Sequence, residues 1–182
     1  MTHTDSRLAR AYSIADLRLL AQKRLPQTVF EFIDGGAEDE LTLRDNRAAF
    51  ERIKLTPRVL NDVSAPDTRT ALLGKEAKAP IVIAPMGSCM LAWPNADIAI
   101  ARAAAAHGLP YTLSTMSNTA METMADTVQG ELWFQLYVLK DWAFNLGLVE
   151  RARAAGYSAL VVTVDLQAGG KRERDLRNGI SI

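Results

Sequence analysis

The sequence predicts a parallel α/β fold preceded by a helical segment, and three observations carry that prediction. From Pro80 onward, short apolar runs alternate with helical patterns. The units repeat every ~20 to 30 residues, the spacing of βα units. The runs Ile81 to Ala84 and Leu160 to Val164 are apolar at consecutive positions, as in strands buried on both faces of a parallel sheet.

The helical segment comes first. Ser13 precedes IADLRLLAQKRL, with Asp16 three residues on, a capping-box pattern; Ile14, Leu17, Leu20 and Ala21 form its apolar face. Pro26 opens a second helix, QTVFEFID, expected to stop at Gly35 and Gly36 because glycine readily takes the left-handed C-cap conformation. A third helical pattern runs from about Glu38 through LTLRDNRAAFERI to Pro57, followed by an extended region containing Thr70 to Leu73.

The repeating part begins with PIVIAPM as a strand, then NADIAIARAAAAHG as a helix ending at Gly108. LPYTLST, ELWFQLYV and ALVVTVD supply three more strands, and AMETMADTV and DWAFNLGLVERARAAG the helices between them. Four strands with right-handed crossovers make either half of a (β/α)₈ barrel or an open doubly wound sheet, and periodicity does not choose between them. The turn after the first strand, APMGSCM, is not the G-x-G-x-x-G of dinucleotide-binding folds. The expected division is residues 1–79 as the helical segment and 80–182 as four βα-type units.

Composition narrows the function classes. The chain has 182 residues, 48% hydrophobic and 23% charged, with 21 basic and 21 acidic side chains, so neither nucleic acid nor an anionic membrane is an expected partner. The single cysteine, Cys89, allows no intrachain disulfide, fits a reducing compartment and reads as a small core residue. No apolar run approaches the ~20 residues needed to span a bilayer, and a cytoplasmic protein is expected, with peripheral membrane association of a full-length form as the alternative.

Polar residues recur where the strands end: Met86, Gly87 and Ser88 after the first, Ser114 and Thr115 after the second, Gln135 and Tyr137 on the third, Thr163 and Asp165 on the fourth. Together they could line one mouth able to hydrogen-bond the edge of a flat heterocycle. Each also has a plainer reading. Tyr137 suits an anchored core aromatic, Gln135 and Thr163 could satisfy neighbouring backbone groups, and the mixed run from Lys171 to Asp175 suits a solvated surface.

The segments KRLPQTVFEFIDGGAEDE, IAPMG, LSTMSN, LWFQLYV and TVDLQAGGKRERDLRN resemble, in order and spacing, the FMN-dependent α-hydroxy-acid dehydrogenases and oxidases, which include lactate, glycolate and mandelate enzymes. LWFQLYV and RERDLRN lean toward the mandelate branch. The resemblance implies the N-terminal half of a (β/α)₈ TIM barrel behind a helical segment, FMN as cofactor, no metal, and oxidation of a 2-hydroxy acid to the 2-oxo acid. It implies that Pro85, Met86 and Gly87 lie against the flavin, and that Ser114, Gln135 and Thr163 bond its pyrimidine edge. Tyr137 would face the substrate, Arg172 would grip its carboxylate, and Asp165 would orient a catalytic histidine. Phe32 stands in a segment where the family commonly has tyrosine, so it would line the substrate pocket without a hydroxyl.

The two histidines, His3 and His107, fall in the N-terminal tail and at a helix end, so neither is expected to act as the base. The family's histidine would lie beyond Ile182, and the chain alone is expected to be an incomplete, catalytically incompetent part of an enzyme that is homo-oligomeric in full-length form. The competing readings are a non-catalytic half-barrel that self-associates or complements another chain, and an open α/β domain for another phosphorylated ligand.

Overall fold

The computed structural model describes residues 8–166 and 168–180, in two compact units, residues 8–58 with 168–180 and residues 59–166. His3 and Gln167 lie outside the described residues.

In the first unit, α1 (Ile14–Arg24) starts at the expected capping box: Ser13 Oγ accepts from the Asp16 N–H at 3.1 Å, and the Asp16 carboxylate accepts from the Ser13 N–H at 2.9 Å. The second helix, α2 (Gln27–Asp34), follows Pro26 directly. It stops at Gly35, but not through a left-handed cap, since Gly35 has φ −86 and ψ 161. A Cβ there would stand 2.7 Å from the Glu31 carbonyl oxygen, so glycine is needed for close approach rather than for handedness. The third helix, α3 (Leu41–Arg52), begins later than expected, after Glu38 and Glu40 turn the chain through positive φ.

The run from Lys171 to Asp175, readable as a basic surface turn, instead leads into a short helix, α7 (Glu173–Arg177), which packs on α2. Arg174 donates to Asp34 at 3.3 Å and to Glu40 at 2.7 Å, and Arg18 pairs with Asp34 from α1. Phe30 and Asp175 are the buried residues among those described in this unit. Its helices are thus joined mainly by ion pairs and hydrogen bonds.

The second unit opens with a hairpin of β1 (Thr70–Leu72) and β2 (Lys75–Ala77), joined through Leu73 and Gly74. Their φ values of 48 and 82 are what a two-residue primed turn requires. The remaining strands form a parallel sheet in the order β3 (Tyr111–Ser114), β4 (Leu132–Tyr137), β5 (Ala159–Thr163). Between them run α5 (Met121–Thr127) and α6 (Trp142–Ala154), with α4 (Ala96–Ala106) before β3. Gly108 (φ 64) and Gly156 (φ 83) take left-handed conformations just past α4 and α6, as expected of helix-ending glycines.

Three strands pair where four were expected. Pro80 to Met86 contributes a single parallel bridge, Ile83 to Tyr111. Pro85 follows the bridge and Pro110 faces it, so the two main-chain donors that would extend the ladder on either side are missing.

Tyr111, Leu113, Leu132, Phe134 and Leu136 form one side of the core, against Ala101 and Ala104 of α4, Met121 and Met124 of α5, and Leu148 and Ala152 of α6. Small alanines let α4 approach the sheet closely. Cys89 is half-buried in a 3-10 turn (Cys89–Leu91) outside this core, where burial pushes its thiol pKa up. β5 is the edge strand, and its Leu160 and Val162 are each 44% exposed rather than buried on both faces. No helix among the described residues is long and apolar enough to cross a membrane.

Phe134 is 2% exposed and meets Tyr157 edge-on at 6.2 Å between centroids. Phe134→Ala is expected to cost roughly 3–5 kcal/mol in denaturant unfolding of the second unit; a loss below ~1 kcal/mol would contradict this packing. In the first unit, the hydrogen bond from Arg18 holds the Asp34 carboxyl below its ordinary 3.8. A depressed carboxyl contributes stability above its unfolded pKa that is lost as pH falls through the folded value. Helix content of α1 and α2 followed by NMR is therefore expected to fall as the pH drops below 3.8, and Asp34→Asn is expected to flatten that dependence.

Candidate functional site at the strand ends

Strand register places the polar residues. Ser114 pairs with Gln135, Gln135 with Val161, and Tyr137 with Thr163. Because side chains alternate along a strand, Ser114, Gln135, Tyr137 and Thr163 fall on one face, opposite the face that Leu113, Phe134 and Leu136 turn to the helices.

On that face the side chains form a continuous chain of hydrogen bonds. Ser114 Oγ donates to Gln135 Oε1 at 3.1 Å, and Gln135 Nε2 donates to Thr163 Oγ1 at 2.9 Å. The Thr115 N–H also donates to Gln135 Oε1, at 3.1 Å. Gln135 is 2% exposed and Ser114 5%. The plainer reading, that these residues satisfy neighbouring backbone groups, describes part of this: Ser114 Oγ accepts the Met116 N–H at 3.1 Å. It does not account for the side-chain bridge across all three strands.

The turn Pro85, Met86, Gly87 is tied to the end of β3, since the Ser88 N–H donates to the Met116 carbonyl at 3.0 Å. A Cβ on Gly87 would stand 2.8 Å from Met116 Cβ. Met86 and Gly87 are exposed, and Pro85 is half-buried. Tyr137, the last residue of β4, is half-buried; Asp165, two residues past β5, is exposed.

Sequence reasoning missed a buried acid beneath this edge. Asp97, in the first turn of α4, is 1% exposed and accepts from Tyr111 Oη at 2.9 Å and Ser117 Oγ at 3.0 Å. It joins α4 to the start of β3 and to the loop that follows it. Burial, then the bond to Asp97, pushes the Tyr111 phenol well above its ordinary 10.0. The available signal was an acidic residue in an alanine-rich helix whose other charged residue is Arg102.

Arg172 and Phe32 belong to the first unit and meet there. The Arg172 guanidinium donates through Nε to Asp175 and through Nη2 to the Phe32 carbonyl, and it stacks 5.3 Å from the centroid of the Phe32 ring. Its side chain is 32% exposed, against 64% for Lys171, so the solvated-surface reading holds for Lys171 and not for Arg172. Asp175 is 3% exposed, and its Oδ1 has no partner among the described residues. His107 caps α4 through its main-chain N–H. A cleft of about 330 Å³ lies elsewhere in this unit, beside Arg18, Phe30, Asp34 and Arg174, whose charges are paired with one another.

The donor set fits a flavin edge. Gln135 Nε2 has two hydrogens and one is given to Thr163, while Thr163 Oγ1 accepts and keeps its own hydrogen to donate. Gly87 leaves open the space beside Met116 that a side chain would fill. Gly87→Ala is expected to displace the turn from Met116 and to speed Ser88 amide hydrogen exchange about tenfold or more; an unchanged rate would refute the close approach.

A family model for FMN-dependent dehydrogenases matches residues 21–182. 2-Hydroxyacid oxidase 2 from Rattus norvegicus is 43% identical over 170 residues, 93% of this chain and 48% of that protein. (S)-mandelate dehydrogenase from Pseudomonas putida is 42% identical over 171 residues, 94% of this chain and 43% of that protein. The crystal structure of a soluble mutant of that membrane-associated enzyme superposes with a TM-score of 0.91 at 42% identity, over 94% of this chain and 49% of that one. The chain thus spans about half the length of the relatives it matches. The α/β architecture is that of a partial (β/α)₈ barrel, and the chain belongs to the family of FMN-dependent dehydrogenases.

Proposed function

We propose that this chain supplies the flavin edge and the substrate-carboxylate grip of an enzyme that oxidises a 2-hydroxy acid to the 2-oxo acid. The observation that carries the reading is the chain of hydrogen bonds from Ser114 through Gln135 to Thr163 across three strand ends. FMN, when bound, supplies the electron acceptor for the oxidation.

The protein's own groups do the rest. Gln135 Nε2 and Thr163 Oγ1 offer donors to carbonyl oxygens on the pyrimidine edge, which favours added negative charge there. The Pro85, Met86, Gly87 turn offers a flat surface and a main-chain N–H to the ring. Tyr137 directs its hydroxyl at the substrate. Arg172, fixed by Asp175 and Phe32, keeps Nη1 for the carboxylate, with no partner for that nitrogen among the described residues. Phe32 adds an apolar wall, which suits an aromatic side chain such as that of mandelate. Asp165 suits orienting a histidine base and stabilising its protonated form. Neither His3 nor His107 is assigned that role, so the 182 residues alone bind rather than turn over.

The chain is expected to bind FMN saturably, followed by quenching of flavin fluorescence, and Gln135→Ala to weaken binding about tenfold, the worth of one hydrogen bond to a buried donor. No saturable binding, or an unaffected variant, would reject the assignment. Turnover of mandelate or lactate by the chain alone is expected to be negligible, and robust turnover would reject the binding-only role.

A second reading, association of half-barrels in a homo-oligomer, is favoured by the exposed Leu160 and Val162 on the edge strand. Sedimentation as a monomer at micromolar concentration would exclude it.

A further inference from the structure

The ladder between β3 and β4 ends at Ser114 and Gln135, yet β4 continues to Tyr137. In a parallel ladder the next two bonds, from the Tyr137 N–H and to the Gln135 carbonyl, would go to the main chain of residue 115. Here they go to its side chain. Thr115 Oγ1 accepts from the Tyr137 N–H at 3.1 Å and donates to the Gln135 carbonyl at 2.5 Å. The Thr115 N–H, released from the ladder, donates at 3.1 Å to Gln135 Oε1.

A backbone N–H can only donate, so it fixes which end of the carboxamide faces it. The oxygen must point to β3 and the nitrogen to β5, where Nε2 meets Thr163 Oγ1 at 2.9 Å. Ser114 Oγ supplies a second donor to the same oxygen. With both lone pairs of Oε1 engaged, the group that Gln135 has left for a ligand is the second hydrogen on Nε2.

We propose that Thr115 is a positioning residue: by carrying the ladder on its hydroxyl, it frees its N–H to lock the Gln135 carboxamide with a donor, not an acceptor, toward the ligand. The inference rests on the flavin-edge reading for its consequence, since a fixed donor at a flavin carbonyl would favour the reduced, negatively charged cofactor and raise its potential.

The flavin-free chain tests the geometry directly. With isotope labelling, a coupling across the hydrogen bond is expected between the Thr115 amide nitrogen and the Gln135 side-chain carbonyl carbon; coupling to the Gln135 main-chain carbonyl carbon instead would overturn the proposal. Thr115→Val keeps the shape and removes the hydroxyl. In that variant the side-chain coupling is expected to vanish, FMN affinity to fall about tenfold and the midpoint potential of bound FMN to drop, while Thr115→Ser restores all three. A folded Thr115→Val chain with the carboxamide coupling intact would overturn it. If the wild-type chain does not bind FMN, the functional reading fails and the coupling still decides the role of Thr115.

Discussion

Gln135 has a carboxamide on a strand in the interior of the sheet, 2% exposed, and such a group must find its partners within the protein. Leaving one buried donor or acceptor unpaired costs about 1–3 kcal/mol, a large part of the stability of a marginal fold. Its oxygen takes donors from Ser114 and Thr115, and its nitrogen gives to Thr163, so one side chain ties three strand ends together. A slip of one residue in either pairing would turn Ser114 or Thr163 to the helix side and leave the amide unmet. The register that satisfies Gln135 is therefore the one that builds the proposed ligand edge.

The two units are held by different physics. The second has an apolar face of aromatic and branched residues against alanine and methionine on three helices, and its polar residues are confined to the opposite face and the strand ends. The first buries little apart from Phe30 and Asp175, and relies on Arg18, Arg174 and their carboxylates. The carboxylates of these pairs are mostly covered, Asp34 12% and Glu40 16% exposed, while Arg18 stays 53% exposed, so solvent screens them only in part. Arg172 differs, since its partner Asp175 is 3% exposed and its ring contact with Phe32 fixes the plane of the guanidinium. That rigidity suits the proposed carboxylate clamp, because a planar, preset fork loses less freedom on binding.

Local signals carried much of the fold and long-range ones did not. The Ser13 capping box, the Pro26 start and the glycines past α4 and α6 were legible because each is a contact within a few residues. Gly35 was read for the right boundary and the wrong reason, because its close approach to Glu31 depends on the path of the chain beyond the helix. The first strand shrank to one bridge because prolines on both of the paired segments withdraw donors, an effect that apolar periodicity does not register. At the site, residue types at strand ends marked Ser114, Gln135 and Thr163. Asp97 escaped notice, Asp175 was placed in a solvated run, and Thr115 was marked only as a strand-end polar residue, because their roles depend on partners in other elements or on a hydroxyl replacing a backbone bond.

A crystal structure of the protein with FMN bound would test the central claim most directly. The account expects the pyrimidine edge of the ring within hydrogen-bonding distance, about 3 Å, of Gln135 Nε2 and Thr163 Oγ1, with the Pro85, Met86, Gly87 turn against the ring. A flavin seated away from these strand ends, or Gln135 presenting its oxygen to the ring, would contradict it.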